Sequence, residues 1–195
     1  MGQYFSNDYL QSNIRAFSCF VSNKKFEFFT DNGVFSKKGL DFGSRLLLET
    51  IPLEEVGGKV LDMGCGYGII GVVINKMTGA SVDMVDVNRR ALHLSDKNIE
   101  LNGCNNVRTI ESFTYEKVFS KYSSIITNPP IRAGKKVVYD IVMNAKNHLY
   151  DDGKLFLVIR KEQGAKSLLN DLKNVYSKVN ILEKKKGFYV IECSF

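Results

Sequence analysis

The chain has 195 residues, of which 44% are hydrophobic and 25% are charged, and its formal net charge is +6. These values exclude a low-complexity or collagen-like chain and predict one globular domain of ordinary size. Apolar runs all fall short of the roughly 18–20 residues of a membrane span, and the N-terminus lacks the layout of a secretory signal, so we expect a cytoplasmic protein.

Four cysteines and two histidines are spread along the chain at Cys19, Cys65, Cys104, Cys193, His93 and His148. The cysteines form no C-x-x-C pair, so the sequence predicts neither a metal site nor a disulfide framework. Reduced thiols are typical of a cytoplasmic protein. The basic excess permits a polyanionic partner but does not by itself indicate one.

The predicted elements begin with a β-hairpin over 16–21 and 25–30, and helical apolar spacing follows over 40–51. Predicted strands and helices then alternate, with strands at KVLDM, SVDMVDV, NVRTI, YSSIITN and GKLFLVIR and helices over 69–76, 88–102, 137–150 and 163–176. The final strands, SKVNILEK and GFYVIECSF, are joined at Lys186-Gly187, a turn too short for a parallel crossover. We therefore predict a mostly parallel α/β sheet in a single domain over 1–195, with residues 1–38 as a hairpin appendage and 39–195 as the core.

The glycine-rich segment 60–68, V-L-D-M-G-C-G-Y-G, joins the first predicted sheet strand to a helix. Glycines there let backbone N–H groups approach a ligand, and the helix N-terminus adds positive potential. Asp86 ends the next strand, where an acid in an open α/β sheet lies beside the ribose of a bound nucleoside. The segment therefore predicts a nucleoside-containing cofactor.

Two cofactor classes fit this pattern. Gly66-x-Gly68-x-x-Gly71 matches the dinucleotide expression of an NAD-dependent oxidoreductase. Asp62 at the end of the strand would repel a pyrophosphate, whereas it would attract an ammonium or sulfonium group. S-adenosylmethionine carries both cations and no phosphate, so the segment favours that cofactor.

Asn128-Pro129-Pro130-Ile131 follows the fourth predicted sheet strand. The prolines fix φ and remove two backbone donors, so the turn presents acceptors. The side-chain oxygen of Asn128 and the carbonyl of Pro129 can both accept hydrogen bonds from one NH2 group and direct its lone pair toward a methyl group. Such catalysis rests on positioning and electrostatics and needs no metal.

These motifs resemble those of the class I S-adenosylmethionine-dependent methyltransferases, with V-L-D-M-G-C-G-Y-G-I-I-G as motif I and Asp86 as the ribose acid. The resemblance implies a Rossmann-like, seven-stranded sheet with an antiparallel last strand. It implies adenine contacts from Ser112 and Phe113. The full set of expected cofactor contacts is Asp41, Asp62, Gly64, Cys65, Gly66, Gly68, Asp86, Val87, Ser112 and Phe113.

The turn also resembles the N-P-P-[FYW] motif of methyltransferases that act on adenine N6, guanine N2 or a protein glutamine amide, with Ile131 in place of the aromatic residue. The segments N-P-P-I-R-A-G-K, G-V-F-S from Gly33 and L-D-x-G-S from Leu40 are similar to the ribosomal small-subunit methyltransferase C group, in a compact single-domain branch. That similarity implies guanine-N2 methylation of 16S ribosomal RNA. Phe35 or Tyr139 is then expected to supply the missing ring.

The expected partner is ribosomal RNA or the small ribosomal subunit, and the expected substrate contacts are Phe35, Pro130, Ile131, Arg132 and Lys135. Lys136 lies beside them, and Lys24, Lys25, Lys37 and Lys38 are expected on the same face. Lysines 184–186 are expected to form a solvated tip. An RNA-binding protein without turnover and a glutamine-amide methyltransferase remain alternatives, and the sequence leaves monomer and dimer open.

Overall fold

The computed structural model describes residues 11–36 and 39–195, so Lys37 and Lys38 lie outside the described residues. The elements in chain order are β1 (Arg15–Val21), β2 (Lys24–Thr30), α1 (Phe42–Thr50), β3 (Lys59–Met63), α2 (Ile69–Thr78), β4 (Ser81–Asp86), α3 (Arg89–Leu101), β5 (Val107–Glu111), β6 (Tyr122–Thr127), α4 (Lys135–Asn144), β7 (Leu149–Arg160), α5 (Ala165–Leu172), β8 (Lys178–Lys185) and β9 (Phe188–Ser194). Within these ranges no helix combines the length and apolarity that a bilayer crossing requires.

Seven strands form one sheet in the order β5-β4-β3-β6-β7-β9-β8, and β1 and β2 form a separate antiparallel pair. Strands β3 to β7 run parallel, whereas β9 is antiparallel to both β7 and β8. This topology confirms the predicted Rossmann-like sheet with an antiparallel last strand. The strand order reverses between β3 and β6, and ligands in open α/β sheets bind at such a switch point, beyond the carboxyl ends of the strands.

The hydrophobic core lies on both faces of the sheet, as the continuously apolar strands require. One cluster joins the sheet to α1, α2 and α3, and the other joins it to α4 and α5. The hairpin belongs to the first cluster through Val21 and Phe28, which are fully buried. Asn98 of α3 fixes the hairpin further, because its side chain accepts from the Phe29 amide at 2.7 Å and donates to the Phe29 carbonyl at 3.0 Å.

The predicted helix over 137–150 is too long at its C-terminal end. Helix α4 stops at Asn144, a short 3-10 turn covers Ala145–His148, and β7 already begins at Leu149. The buried side chain of Leu149 continues the apolar pattern of the helix, although it belongs to a strand that pairs with Tyr122. Helix α5 is likewise shorter than predicted and ends at Leu172.

Candidate functional site

A cavity of about 400 Å³ opens at the carboxyl ends of the parallel strands, and it contains the switch point between β3 and β6. All but three of the site residues predicted from the sequence line it, namely Phe35, Asp41, Gly64, Cys65, Gly66, Asp86, Val87, Ser112, Phe113, Asn128, Pro129, Pro130, Ile131 and Arg132. The exceptions are Asp62, Gly68 and Lys135. The structure therefore brings the glycine-rich loop and the N-P-P turn to one cavity.

The glycine loop, residues 64–68, forms one wall between β3 and α2. The amides of Gly64 and Cys65 both donate to the Val85 carbonyl, at 2.8 and 2.9 Å, which joins the loop to the end of β4. Gly66 has φ of +58°, and a Cβ placed there would meet no described atom beyond its neighbours within 4 Å. The backbone of the loop is therefore left-handed at Gly66 and open toward the cavity.

Asp86 lies at the end of β4 beside this loop. Its Oδ2 accepts from the Gly66 amide at 2.9 Å, and its Oδ1 accepts from the Asn88 amide at 2.9 Å. Burial raises the pKa of the carboxyl group, and the backbone N–H groups of Asn88 and Gly66 oppose that shift. Since a carboxylate has about four acceptor positions, Asp86 can still accept from hydroxyl groups in the cavity.

Asp62 and Gly68 lie behind the cavity wall rather than on it. Asp62 Oδ2 accepts from the Gly71 amide at 2.9 Å, while Oδ1 is buried without a hydrogen-bond partner among the described residues. Burial raises the pKa of Asp62 to about 7, opposed by the Gly71 amide and supported by the charge of Asp86. Gly68 precedes α2 at φ +88°, and a Cβ there would lie 3.0 Å from Ser95 Oγ. Its role in the fold is therefore close packing against α3.

Cys65 is a buried residue of the cavity wall. Burial raises the pKa of its thiol well above the usual range, and the carboxyl groups of Asp86 and Asp62 act in the same direction. The thiol is therefore protonated at neutral pH and unreactive as a nucleophile. Cys65 thus acts as a small apolar wall residue.

The N-P-P turn forms the facing wall and is tied to the start of α1. Asn128 Nδ2 donates to Ser44 Oγ at 2.9 Å and to Asp41 Oδ1 at 3.3 Å. Asp41 also caps α1 by accepting from the Ser44 amide at 3.1 Å. Because the amide nitrogen of Asn128 is engaged by α1, its Oδ1 is the atom of the side chain that remains to accept a hydrogen bond in the cavity.

Comparisons with known proteins identify the family of this chain. The model of the methyltransferase small domain family matches residues 25–192. The chain belongs to that family. An uncharacterized protein of Bacillus subtilis, YbxB, is 44% identical over 97% of this chain and 96% of its own length.

Two further relatives are longer than this chain. The ribosomal RNA small subunit methyltransferase C of Psychromonas ingrahamii is 32% identical over 96% of this chain, which spans 54% of that relative. The T. thermophilus 16S rRNA N2 G1207 methyltransferase, solved in complex with AdoMet and guanosine, matches 95% of this chain with a TM-score of 0.84 and 28% identity. This chain covers 51% of that structure, so it spans about half the length of these two relatives.

Phe35 and Tyr139 were the candidates for the aromatic ring that the family pattern has at position 131, and they lie in different places. Phe35 lines the cavity and is 52% exposed. Tyr139 lies off the cavity wall, where its hydroxyl donates to Asp171 Oδ2 at 2.6 Å and Lys135 Nζ lies 4.7 Å from its ring centroid. Of the two rings, Phe35 is the one that reaches the cavity, and Lys135 turns toward Tyr139 instead.

The cavity residues that the sequence analysis did not predict include Phe42, Arg160, Gln163 and Phe188. Arg160 ends the parallel strand β7, a position where site residues are expected in an open sheet. Phe188 begins β9, and because β9 is antiparallel, its first residue lies at the same edge and pairs with Arg160. The position of Arg160 at the end of a predicted strand could have identified it from the sequence. Phe188 could be identified only once β9 was known to lie next to β7.

The basic residues are only partly at the site. The expectation that Lys24 shares the face of the cavity is wrong, because Lys24 Nζ donates at 2.8 Å to the carbonyl of Lys76, near the C-terminal end of α2 and far from the loop. Lys25 pairs with Glu27 on the same hairpin. Lysines 184–186 are exposed as expected. Their turn lies beside the cavity, since Lys186 Nζ is 5.1 Å from the ring centroid of Phe42.

Proposed function

We propose that this protein is an S-adenosylmethionine-dependent methyltransferase that modifies an exocyclic guanine nitrogen, N2, in small-subunit 16S ribosomal RNA. The single observation that carries the proposal is that Asn128 and Pro129 face the same cavity as Asp86 and the glycine loop. The names of the relatives support the choice of ribosomal RNA. We further propose that the chain forms one domain, because the hairpin shares its core with the sheet.

The residues of the cavity fit this cofactor. Asp86 can accept from a ribose hydroxyl beside its backbone contacts, and Ser112 with the 40% exposed ring of Phe113 offers a site for adenine. The unpartnered Oδ1 of Asp62 lies directly behind the loop. With a pKa of about 7 the carboxyl group is partly ionised at neutral pH, and a cationic amino acid nearby would favour its ionised form, whereas a phosphate would oppose it. When bound, S-adenosylmethionine supplies an electrophilic methyl group on a sulfonium.

The chain's own residues would position the acceptor. Asn128 Oδ1 and the Pro129 carbonyl accept the two hydrogens of the exocyclic amine, which holds the nitrogen in place and favours a tetrahedral geometry. The lone pair, otherwise delocalised into the base, then points into the cavity. Asp41 and Ser44 keep the amide of Asn128 in the orientation that presents oxygen rather than nitrogen. Positioning of this kind lowers the barrier without a covalent intermediate.

The remaining lining residues suit a nucleotide. Phe35, Pro130 and Ile131 supply an apolar surface for a base, and Arg132 supplies positive charge at the rim. Lys135 and Lys136 lie on the first turn of α4, within reach of a longer RNA. Phosphate contacts from such residues give affinity that falls as the salt concentration rises.

The test is transfer of labelled methyl from S-adenosylmethionine to small ribosomal subunits that lack their guanine-N2 methyl groups, followed by nuclease digestion. The proposal predicts label in N2-methylguanosine. Label in N6-methyladenosine would show the same chemistry on a different base. Label in protein that survives nuclease would indicate a glutamine amide, and either of these results would overturn the guanine assignment.

A further inference from the structure

Arg160 lines the cavity, and its guanidinium lies over an aromatic ring. Its guanidinium Cζ lies 5.0 Å from the ring centroid of Phe188. The Phe188 ring in turn packs on Phe42, with 5.3 Å between the ring centroids. A Cβ placed on Gly43 would lie 3.0 Å from Phe188 Cε1, so that ring sits against the first turn of α1. The same turn holds Asn128 through Ser44 and Asp41.

The backbone of Arg160 is fixed as well. Arg160 pairs with Phe188 in the β7–β9 ladder, and its amide donates to Gln163 Oε1 at 3.2 Å. The next amide, from Lys161, donates to the carbonyl of Gly187 at 2.7 Å. The start of the arginine side chain therefore has little freedom, and the ring of Phe188 restrains the guanidinium at its other end.

The N–H donors of the Arg160 guanidinium have no acceptor among the described residues, although the group lies over the Phe188 ring. It makes no ion pair and no hydrogen bond with any side chain or carbonyl of the described residues, whereas Arg89 and Arg108 pair with Glu111 and Asp83. Five N–H donors on a restrained planar group thus remain for a ligand in the cavity. A residue of this kind suits recognition of two neighbouring acceptor atoms.

We propose that Arg160, supported by Phe188, recognises the O6 and N7 atoms of the target guanine. This inference rests on the proposed function. If the N2 amine is bound at Asn128, the O6 and N7 edge of the base points away from the N-P-P turn, toward another wall of the cavity. The arginine fork matches these two acceptors. Adenine presents a donor, N6, in place of O6, so the same contact selects against it.

Ile131 offers the base only an aliphatic surface, so polar recognition has to come from another part of the cavity. Arg160 supplies it at the edge of the base, through its forked donors. The specificity of the site would then depend on β7 and β9 as well as on the N-P-P turn.

The experiment measures binding of uridine nonamers that carry one central purine, in the presence of S-adenosylhomocysteine to prevent turnover. The central purine is guanine, inosine, 7-deazaguanine or 2-aminopurine. Inosine keeps O6 and N7 but lacks the amine, whereas 7-deazaguanine lacks N7 and 2-aminopurine lacks O6. Fluorescence anisotropy gives the Kd of each for the wild type, Arg160→Lys, Phe188→Leu and the control Arg89→Lys, which lies off the cavity wall.

The wild type and Arg89→Lys should bind guanine about 5- to 150-fold more tightly than 7-deazaguanine and 2-aminopurine, which keep the amine but each lack one acceptor. Arg160→Lys keeps the charge but loses the fork, so it should bind the three nonamers that keep the amine, those with guanine, 7-deazaguanine and 2-aminopurine, within about twofold of one another. Phe188→Leu should lose most of the preference. If Arg160→Lys keeps the wild-type preference, or the wild type shows none, the inference is overturned.

Different results would overturn the proposed function and the role of Arg160. Methyl transfer to guanine with no preference for O6 and N7 would remove the role of Arg160 and leave the proposed function in place. A preference that depends on Arg160, without methyl transfer to any guanine in ribosomal RNA, would remove the proposed function and leave guanine binding in place.

Discussion

The glycine loop requires a left-handed backbone at Gly66 and leaves room for a ligand beside it. Replacing Gly66 by alanine, together with a matched control, separates these two requirements. Gly66 has φ of +58°, and an added methyl group there would face the cavity with no described atom beyond its neighbours within 4 Å. Gly103 provides a matched control, because its φ is +57° and its surroundings are equally open, but it lies after α3 and does not line the cavity. Alanine is therefore expected to strain the backbone at both positions, but only at Gly66 does it also lie beside the cavity.

The expected strain is about 1–2 kcal/mol for a left-handed alanine at either position. In a chain of this size each kcal/mol lowers Tm by about 2–4 °C, so both variants should lose about 2–8 °C. Only Gly66→Ala also places a methyl group against a ligand in the cavity. Insertion of one such group into a filled space costs about 1–3 kcal/mol, which weakens binding about 5- to 150-fold.

The assay combines thermal unfolding with calorimetric titration of S-adenosylmethionine, for the wild type and both variants. We expect similar losses of Tm in the two variants and weaker binding in Gly66→Ala alone. Equal affinities in Gly66→Ala and Gly103→Ala would refute the reasoning, because the loop would then not contact the cofactor. A much larger loss of Tm in Gly66→Ala would show that its surroundings are not open.

Three further predictions concern residues beside or behind the loop. Asp86→Asn should weaken S-adenosylmethionine binding about 10- to 150-fold, because hydrogen bonds to a charged acceptor contribute about 1.5–3 kcal/mol, and an unchanged Kd in titration calorimetry would remove its assigned role. The pKa of Asp62 is raised from 3.8 to about 7, so the native state holds a proton that the unfolded chain releases. The stability of the wild type relative to Asp62→Asn should therefore fall by about 4 kcal/mol between pH 4 and 7 and then level off, and urea unfolding that shows a constant difference would contradict this. Gly71→Ala would force a methyl group against Met84 Cε and within 2.9 Å of Met84 Cγ, so it should cost about 1–3 kcal/mol in urea unfolding, whereas Gly57→Ala, which meets nothing within 4 Å, should cost little.

The alternation of apolar strands and helices was sufficient to predict the sheet, because the central strands β3, β4 and β6 are buried on both faces and helices with apolar faces lie between the strands in sequence. The ends of the helices and strands were harder to predict. Leu149 is buried in a strand but continues the spacing of α4, and local spacing does not distinguish the two. The placement of Lys24 depended on how the hairpin docks on α3, which is set by the long-range bonds of Asn98 and Asn102.

Site residues also divide into those set by local sequence patterns and those set by long-range packing. Residues that lie directly after parallel strands, such as Asp86 and Asn128, were predictable because those strand ends meet at one edge. Phe188 and Phe42 were not, because their place at the cavity depends on the pairing of β9 with β7 and on the packing of α1 against β9. Asp62 lies behind the loop, where its Oδ2 accepts from the Gly71 amide, and its contact with the cofactor stays a prediction.

The central claim is that the N-P-P turn positions an amine for methyl transfer, and single-turnover transfer by Asn128→Ala tests it most directly. The reaction uses labelled S-adenosylmethionine and small ribosomal subunits lacking the modification, with Asn144→Ala, an exposed change on α4, as the control. We expect the rate to fall about 10²–10³-fold in Asn128→Ala alone, with cofactor affinity unchanged. A rate within a few-fold of the wild type, at equal cofactor affinity, would contradict the account.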